Sequence, residues 1–223
     1  MMLGNILILE TSTEAGSVAL ARGSALVTEL SFSSRDPATG ARTEALAPAV
    51  AQCLAQAGLS ATDLSAVVCG AGPGGFTSLR SAAALAKGLC SALGIPLYGV
   101  SSLELLAWSA KIPDGVFIAA LPAGRNEWFV VDVTRESDRT TVVGDARLVS
   151  NDDMNERARS MHAGLIGPGL DHNVIPRAAS VTEWLPAIEA RGPVDLDSWE
   201  PVYGRLAEAQ VKWEAAHGRS LSA

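Results

Sequence analysis

Two stretches hold residues whose types and spacing could do chemistry. The first is Glu10-Thr-Ser-Thr13, an acid at the tip of an apolar run followed by hydroxyls in a hairpin. Hydroxyls and turn amides can hold phosphate, and a carboxylate placed there can hold a metal ion through water. The plain alternative is a polar hairpin whose side chains bond the turn itself. The second is Gly70-Ala-Gly-Pro-Gly-Gly-Phe-Thr-Ser-Leu-Arg80. Its glycines permit positive φ and close approach of the backbone to another group, and the amides opening the following helix could receive an anion. The spacing Gly70-x-Gly72-x-x-Gly75 matches the dinucleotide fingerprint. However, Pro73 sits inside the turn, and no Asp or Glu follows about 20 residues on, where a ribose contact is expected. The phosphate-loop pattern also fails, because Phe76 follows Gly75 where lysine is required. Either the turn holds an anion or its glycines only permit close packing. The candidate nucleotide-binding residues are Glu10, Thr11, Ser12, Thr13, Gly72, Gly74 and Gly75.

Other chemistries lack their residues. His162, His172 and His217 are scattered, and none has a histidine at i+3 or i+4, so no helix presents a two-His metal face. No Gly-x-Ser-x-Gly elbow and no Cys–His neighbourhood occurs. Cys53, Cys69 and Cys90 lie in apolar segments, and their odd count argues against a disulfide framework or a zinc site. They read as buried small hydrophobes. Asp152 and Asp153 sit at a helix start, where carboxylates favour the dipole. No residue is assigned a catalytic or metal-binding role, and no cofactor is expected.

The 223 residues are 48% hydrophobic, ample for a sizeable core. Lys and Arg total 17 against 24 Asp and Glu, a net charge of −7. Such a chain does not grip nucleic acid through a large basic surface of its own, and a role on RNA needs a partner to supply positive charge. No apolar run approaches the roughly 20 residues that span a bilayer. The N-terminus has no positive n-region and no small-residue cleavage site, so a cytoplasmic protein is expected.

Period and punctuation place these residues on elements. Ile6-Leu-Ile-Leu9 reads as a central strand, and Ser17-Val-Ala-Leu20 and Ala25-Leu-Val-Thr-Glu-Leu30 follow as an antiparallel meander. Thr43 is a candidate cap for a helix presenting Leu46, Val50, Cys53, Leu54 and Ala57, with Pro48 near its first turn. Its other face, Ala47, Ala51 and Ala55, is bland enough to pack on another helix or chain. A strand at 64–69, the glycine turn, a helix at 76–93 and a strand at 96–100 make a right-handed parallel crossover. The first hundred residues therefore run β-β-β-α-β-α-β, an arrangement shared by the actin, hexokinase and Hsp70-like ATPases. Ser102 is a candidate cap for the next helix, and Ile112-Pro-Asp-Gly115 marks a lobe boundary. A first lobe over 1–109 and a second over 110–223 are expected. Trp108, Trp128, Trp184, Trp199 and Trp213 suggest that the second lobe has a different core. Strands at 116–121 and 127–133 with a hairpin turn, further strands at 140–149, helices from 151 and over 181–191, and an extended 195–203 complete it. Residues 206–217 form a helix or a loose tail. Ala163-Gly-Leu-Ile-Gly-Pro-Gly169 repeats the strand-then-Gly-Pro-Gly theme, and no other repeat is evident.

Taken together, several motifs resemble the TsaB (YeaZ) family over nearly the whole length. They are Ile6-Leu-Ile-Leu-Glu-Thr-Ser-Thr-Glu-Ala-Gly-Ser-Val-Ala-Leu20, Thr43-Glu-Ala-Leu-Ala-Pro-Ala-Val50, Gly72-Pro-Gly-Gly-Phe-Thr-Ser-Leu-Arg80 with Lys87-Gly-Leu89, and Glu200-Pro-Val-Tyr-Gly-Arg205. The resemblance implies a two-lobed α/β fold of the actin/Hsp70/hexokinase (ASKHA) type, with a mixed sheet and an N-terminal β-meander in each lobe. It also implies a non-catalytic subunit for N6-threonylcarbamoylation of adenosine 37 in tRNA. Such a subunit pairs with the catalytic paralogue TsaD and with the ATPase TsaE, and reaches tRNA only through the complex. In that family the first two helices of each subunit meet, which carries onto Thr43, Leu46, Val50, Leu54, Phe76, Leu79 and Ala83. The same helices could form a homodimer. The His-x-x-x-His of the catalytic paralogue falls on Ser102 and Leu106, which cannot bind a metal as two imidazoles do. The family usually has Asp at Glu10, Ser-Phe-Thr-Gly at Gly75-Phe-Thr-Ser78, and Asp-Ala-Arg where this chain has Pro122-Ala-Gly-Arg125. The competing readings are a stand-alone ATPase or kinase of the same fold, and a metalloprotease, which would need a metal shell.

Overall fold

The computed structural model describes residues 4–203, apart from 37, 42 and 138. The expected segment at 206–217, with Trp213 and His217, lies outside the described residues. Strands β1 (Asn5–Glu10), β2 (Ala15–Arg22) and β3 (Ala25–Ser33) form an antiparallel meander. Helix α1 (Leu46–Gln56) leads through a 3-10 turn to β4 (Leu64–Gly70), then α2 (Phe76–Leu93) and β5 (Leu97–Val100). Both β4 and β5 run parallel to β1, giving a five-stranded sheet in the order β3-β2-β1-β4-β5. Helix α3 (Ser102–Ser109) crosses to the second sheet. That sheet holds β6 (Gly115–Gly124), β7 (Glu127–Glu136), β8 (Arg139–Ser150), β9 (Gly164–Gly167) and β10 (His172–Asn173), with α4 (Asn151–Met161) between β8 and β9.

Read from its meander edge, the second sheet runs β8-β7-β6-β9-β10, the same connectivity as the first. The chain is thus a topological duplicate, a repeat the sequence betrays only at its two Gly-Pro-Gly turns, one after β4 and one after β9. Two mixed sheets with this strand order form the two-lobed ASKHA-type fold.

Alternation along the strands buries both faces of the first sheet. Leu7 and Leu9 of β1, Val18 and Leu20 of β2 and Val67 and Cys69 of β4 point to the side covered by α1 and α2. Ile6, Ile8, Ala19, Ala21, Ala66 and Val68 point to the other side. A strand flanked on both faces cannot tolerate polar alternation, so Ile6-Leu-Ile-Leu9 is apolar throughout. The second face is covered by a segment that returns from the second lobe: a 3-10 turn (Ala178–Trp184) and α5 (Leu185–Arg191), with Ala178, Val181, Leu185 and Ile188 in contact. The expected helix over 181–191 is therefore split, and a boundary at residue 109 separates the sheets but not their covering layers. The tryptophans do not mark a second core. Trp108 and Trp184 stack at 4.5 Å against the first sheet and Trp199 packs on its opposite side, while Trp128 joins the second. Helix α3 is wedged between lobes, with Leu105 facing one and Leu103 and Leu106 the other.

Capping departs from expectation twice. Helix α1 starts after Ala45 without a side-chain cap, and the Thr43 hydroxyl donates instead to the Ser33 carbonyl at 3.0 Å. Pro48 occupies its first turn, where no backbone donor is needed. Ser101 rather than Ser102 precedes α3. Among the described residues, no helix is long and apolar enough to cross a membrane.

Candidate functional site

The ends of β1 and β4 and the start of α2 converge on one side of the gap between lobes, where open α/β sheets place their ligands. The Glu10 carboxylate does not face that gap. It is 1% exposed, accepts a hydrogen bond from the Ser12 amide at 2.6 Å, and accepts another from the Ser102 hydroxyl at 3.0 Å. Its reach depends on Gly70, where an added Cβ would lie 2.2 Å from Glu10 Oε2. The carboxylate thus fills the space that a side chain at residue 70 would take. Burial pushes the Glu10 carboxyl above the usual carboxylate range, against the opposing hydrogen bonds from Ser12 and Ser102. Ser102 and Leu106, the positions aligned with two metal-binding histidines of the paralogue, are fully buried on α3.

The glycine turn is likewise occupied by its own chain. A Cβ at Gly74 would meet the Ser12 carbonyl oxygen at 2.5 Å, and one at Gly72 would meet the Val202 carbonyl oxygen at 2.4 Å. Gly75 has more room and donates its amide to the Ser12 carbonyl at 2.8 Å. The Thr11 hydroxyl donates to the Ser78 carbonyl at 3.1 Å. These bonds pin the first hairpin to the first turn of α2. The packing role of Gly72 and Gly74 is therefore met without any ligand.

A cleft of about 490 Å³ remains between the lobes. Ser12, Thr13, Gly75 and Ser78 line it from the first lobe, Pro122 and Pro168 from the second. Of the expected nucleotide residues it gathers Ser12, Thr13 and Gly75, and leaves Glu10, Thr11, Gly72 and Gly74 outside its wall. Its charged residues, Glu14 and Arg35, pair with each other at 2.6 Å. The Ser12 hydroxyl is buried and has no hydrogen-bond partner among the described residues. Among those residues no three His, Cys, Asp or Glu side chains group to hold a metal ion. Ser102, Pro122 and Pro168 were not assigned to the site from sequence, although the second Gly-Pro-Gly turn flagged the last.

The residues assigned to a partner surface separate by burial. Leu79 is 0% exposed, and Val50, Leu54 and Ala83 are buried in the core beneath α1 and α2. Their side chains hold the helices to the sheet and have little surface to offer a partner. Thr43 is exposed, and Leu46 and Phe76 are half-buried. The outward faces include Ala47, Ala51, Gln52 and Ala55 on α1 and Thr77, Arg80, Ser81, Ala84 and Gly88 on α2.

Comparison with known proteins gives a consistent set of likenesses. The family described as TsaD, tRNA N6-adenosine threonylcarbamoyltransferase, matches residues 37–159. The tRNA threonylcarbamoyladenosine biosynthesis protein TsaB of Escherichia coli is 32% identical over 135 residues, which cover 60% of this chain and 56% of that protein. Its namesake in Bacillus subtilis is 28% identical over 233 residues, covering 93% and 97%. The chain spans about half the length of several curated relatives it matches, the E. coli protein among them. The solved structure of YeaZ from Pseudomonas aeruginosa superposes with a TM-score of 0.73 at 27% identity, over 90% of this chain and 99% of that one.

Proposed function

Since this chain belongs to the TsaD family, and within it to the TsaB/YeaZ proteins, we propose that it is an accessory subunit in tRNA threonylcarbamoyladenosine formation. In this reading it binds a TsaD-type catalytic paralogue through α1 and α2 and carries out no chemistry of its own. The observation that carries the reading is the fate of Glu10. The acid that the fold would use in its cleft is turned inward and bonded to Ser12 and Ser102. A subunit of this kind acts by linkage: if it binds only the competent conformer of its partner, it raises that conformer's population. The small, weakly charged outward faces of α1 and α2 suit close helix-to-helix contact with a similar pair. The same faces could join two copies when the partner is absent. A TsaE-type ATPase and tRNA would join through the paralogue, in the cytoplasm.

The test is reconstitution. The purified chain alone is expected to turn over neither ATP nor tRNA, to co-elute with its TsaD-type paralogue on size exclusion, and to restore modification when mixed with it. Ala51→Glu, on the outward face of α1, is expected to abolish co-elution while leaving the fold intact. Threonylcarbamoyl transfer by the lone chain would overturn the reading.

A second reading keeps a nucleotide in the cleft, and one observation favours it: the buried Ser12 hydroxyl lacks a partner and borders the cleft. Titration with ADP, followed by Tm, separates the two. A shift that Ser12→Ala removes supports cleft binding, and no shift supports the accessory reading alone.

A further inference from the structure

Two of the sequence motifs, the glycine turn and Glu200-Pro-Val-Tyr203, meet each other. Residues 193–203 run back along the first lobe as a strap, which is not extended throughout as expected but folds into a turn at 196–198, where the Trp199 amide donates to the Asp195 carbonyl at 2.9 Å. The Val194 amide donates to the Leu97 carbonyl at 2.8 Å at the free edge of β5, and the Val202 amide donates to the Ala71 carbonyl at 2.7 Å in the glycine turn. Between them the Trp199 carbonyl accepts from Lys87 Nζ on α2 at 3.0 Å. Two glycines make room for it. A Cβ at Gly72 would strike the Val202 carbonyl oxygen at 2.4 Å, and one at Gly99 would lie 3.0 Å from Trp199 Nε1. The strap then delivers Tyr203 onto Phe76, the first residue of α2, with ring centroids 4.6 Å apart, and Arg80 lies over the same Phe76 ring at 5.2 Å.

The grip is local. Beneath the strap a hollow of about 210 Å³ remains, bounded by Pro73, Ser101, Val194 and Trp199. Val202 is 59% exposed, so its side chain adds little, and its hold on the turn rests on the backbone. A segment held by a few backbone bonds and by the packing of Val194, Leu196 and Trp199 on the edge of the core opens at lower free energy than the sheet beneath it.

We propose that the glycine turn is the receptor for the chain's own C-terminal strap, and that the strap, by gripping it, sets the first turn of α2. The strap is thus a conformational device that stiffens the start of a helix assigned to partner contact. That last consequence rests on the reading under Proposed function; the grip on α2 does not.

Hydrogen exchange on the full chain tests it. Val202→Pro removes the amide that donates to Ala71, and Val202→Ala keeps it. In Val202→Pro, amides over 194–203 and over 76–80 are expected to exchange ~10-fold faster while those of β1 and β4 hold their wild-type rates. Val202→Ala is expected to match wild type, and Trp199→Ala to reproduce the proline effect by removing the ring packed on Gly99. Affinity for the paralogue is expected to fall several-fold in the two released variants. Faster exchange over 194–203 with 76–80 unchanged overturns the proposal, as does wild-type exchange throughout. Uniformly faster exchange that includes β1 overturns it too, because the segment would then be core and not a strap. If the wild-type chain does not bind the paralogue at all, the accessory reading falls and the exchange result still decides the strap.

Discussion

Replacing Glu10 discriminates between a carboxylate kept for a ligand and one kept for the fold. Glu10→Ala leaves the Ser12 amide and the Ser102 hydroxyl buried without their acceptor. Each stranded group costs about 1–3 kcal/mol, and relief of the carboxylate's own burial offsets part of the sum, so the expected net loss is about 2–4 kcal/mol. Against a domain stability of about 5–15 kcal/mol this is a large fraction. Glu10→Gln preserves the shape and keeps one oxygen for the Ser12 amide. Its new NH2 can donate to the Ser102 hydroxyl, which reorients to accept, so a loss below about 1 kcal/mol is expected. The pH dependence has a definite sign. Burial raises the folded-state pKa of Glu10, so the native chain holds its proton to higher pH than the unfolded chain. Wild-type stability then falls as pH rises through that window, and a glutamine cannot follow it. The difference between Glu10→Gln and wild type should therefore move in the variant's favour from acid pH toward neutral. Urea unfolding from pH 4 to 8, read by tryptophan emission from the Trp108–Trp184 stack on the first sheet, measures all three proteins. Equal losses for Glu10→Gln and Glu10→Ala would refute the reasoning, since hydrogen-bond geometry would then not be what the residue supplies. A glutamine advantage that shrinks toward neutral pH would refute it as well.

Other substitutions probe the same architecture. Gly74→Ala places a methyl 2.5 Å from the Ser12 carbonyl oxygen and should cost about 2–3 kcal/mol in a denaturant melt, by forcing the first hairpin off α2. Asp132 accepts from Arg157 and Arg147, and these bonds hold its carboxyl below the usual range. Its contribution is therefore present above the ordinary aspartate pKa and lost as pH falls through the depressed folded value. Because both arginines are about two-fifths exposed, Asp132→Asn should lower stability by only about 1 kcal/mol in a neutral-pH urea melt, with the difference vanishing in acid. Leu79→Asp puts a charge at a fully buried position, and circular dichroism should report an unfolded chain, whereas Ala51→Glu should keep its spectrum. Burial raises the Cys53 and Cys90 thiols to about 11, so the native chain should resist alkylation at pH 8 until denaturant is added.

Much of the fold is written locally. An unbroken Ile6-Leu-Ile-Leu9 reads as a strand covered on both faces, and the apolar face of residues 76–93 followed by Gly94 reads as a helix with a glycine stop, and both are found. Their order, with the short turns of the meander, gives an antiparallel meander followed by a parallel crossover, as the first sheet has. A meander in each lobe is implied by the family resemblance, but the residues themselves leave little trace of the shared strand order beyond the paired Gly-Pro-Gly turns, because topology constrains pairing and not residue identity. Period along a helix gave the apolar face of α1 and α2 correctly, but not which residues face outward to a partner. Leu79 and Val50 have the composition of an interface, yet the sheet beneath them takes their surface. The roles of Glu10 and of the glycines depended entirely on tertiary contact. An acid beside three hydroxyl-bearing residues, and a turn rich in glycine, describe a phosphate site and a packing joint equally well. The contacts made by Ser102, 92 positions away from Glu10, and by Val202, brought back to Gly72 by the strap, exist only in the folded chain. Sequence determines which groups are present and their local conformation. Only the closed chain determines which of those groups are already occupied by one another.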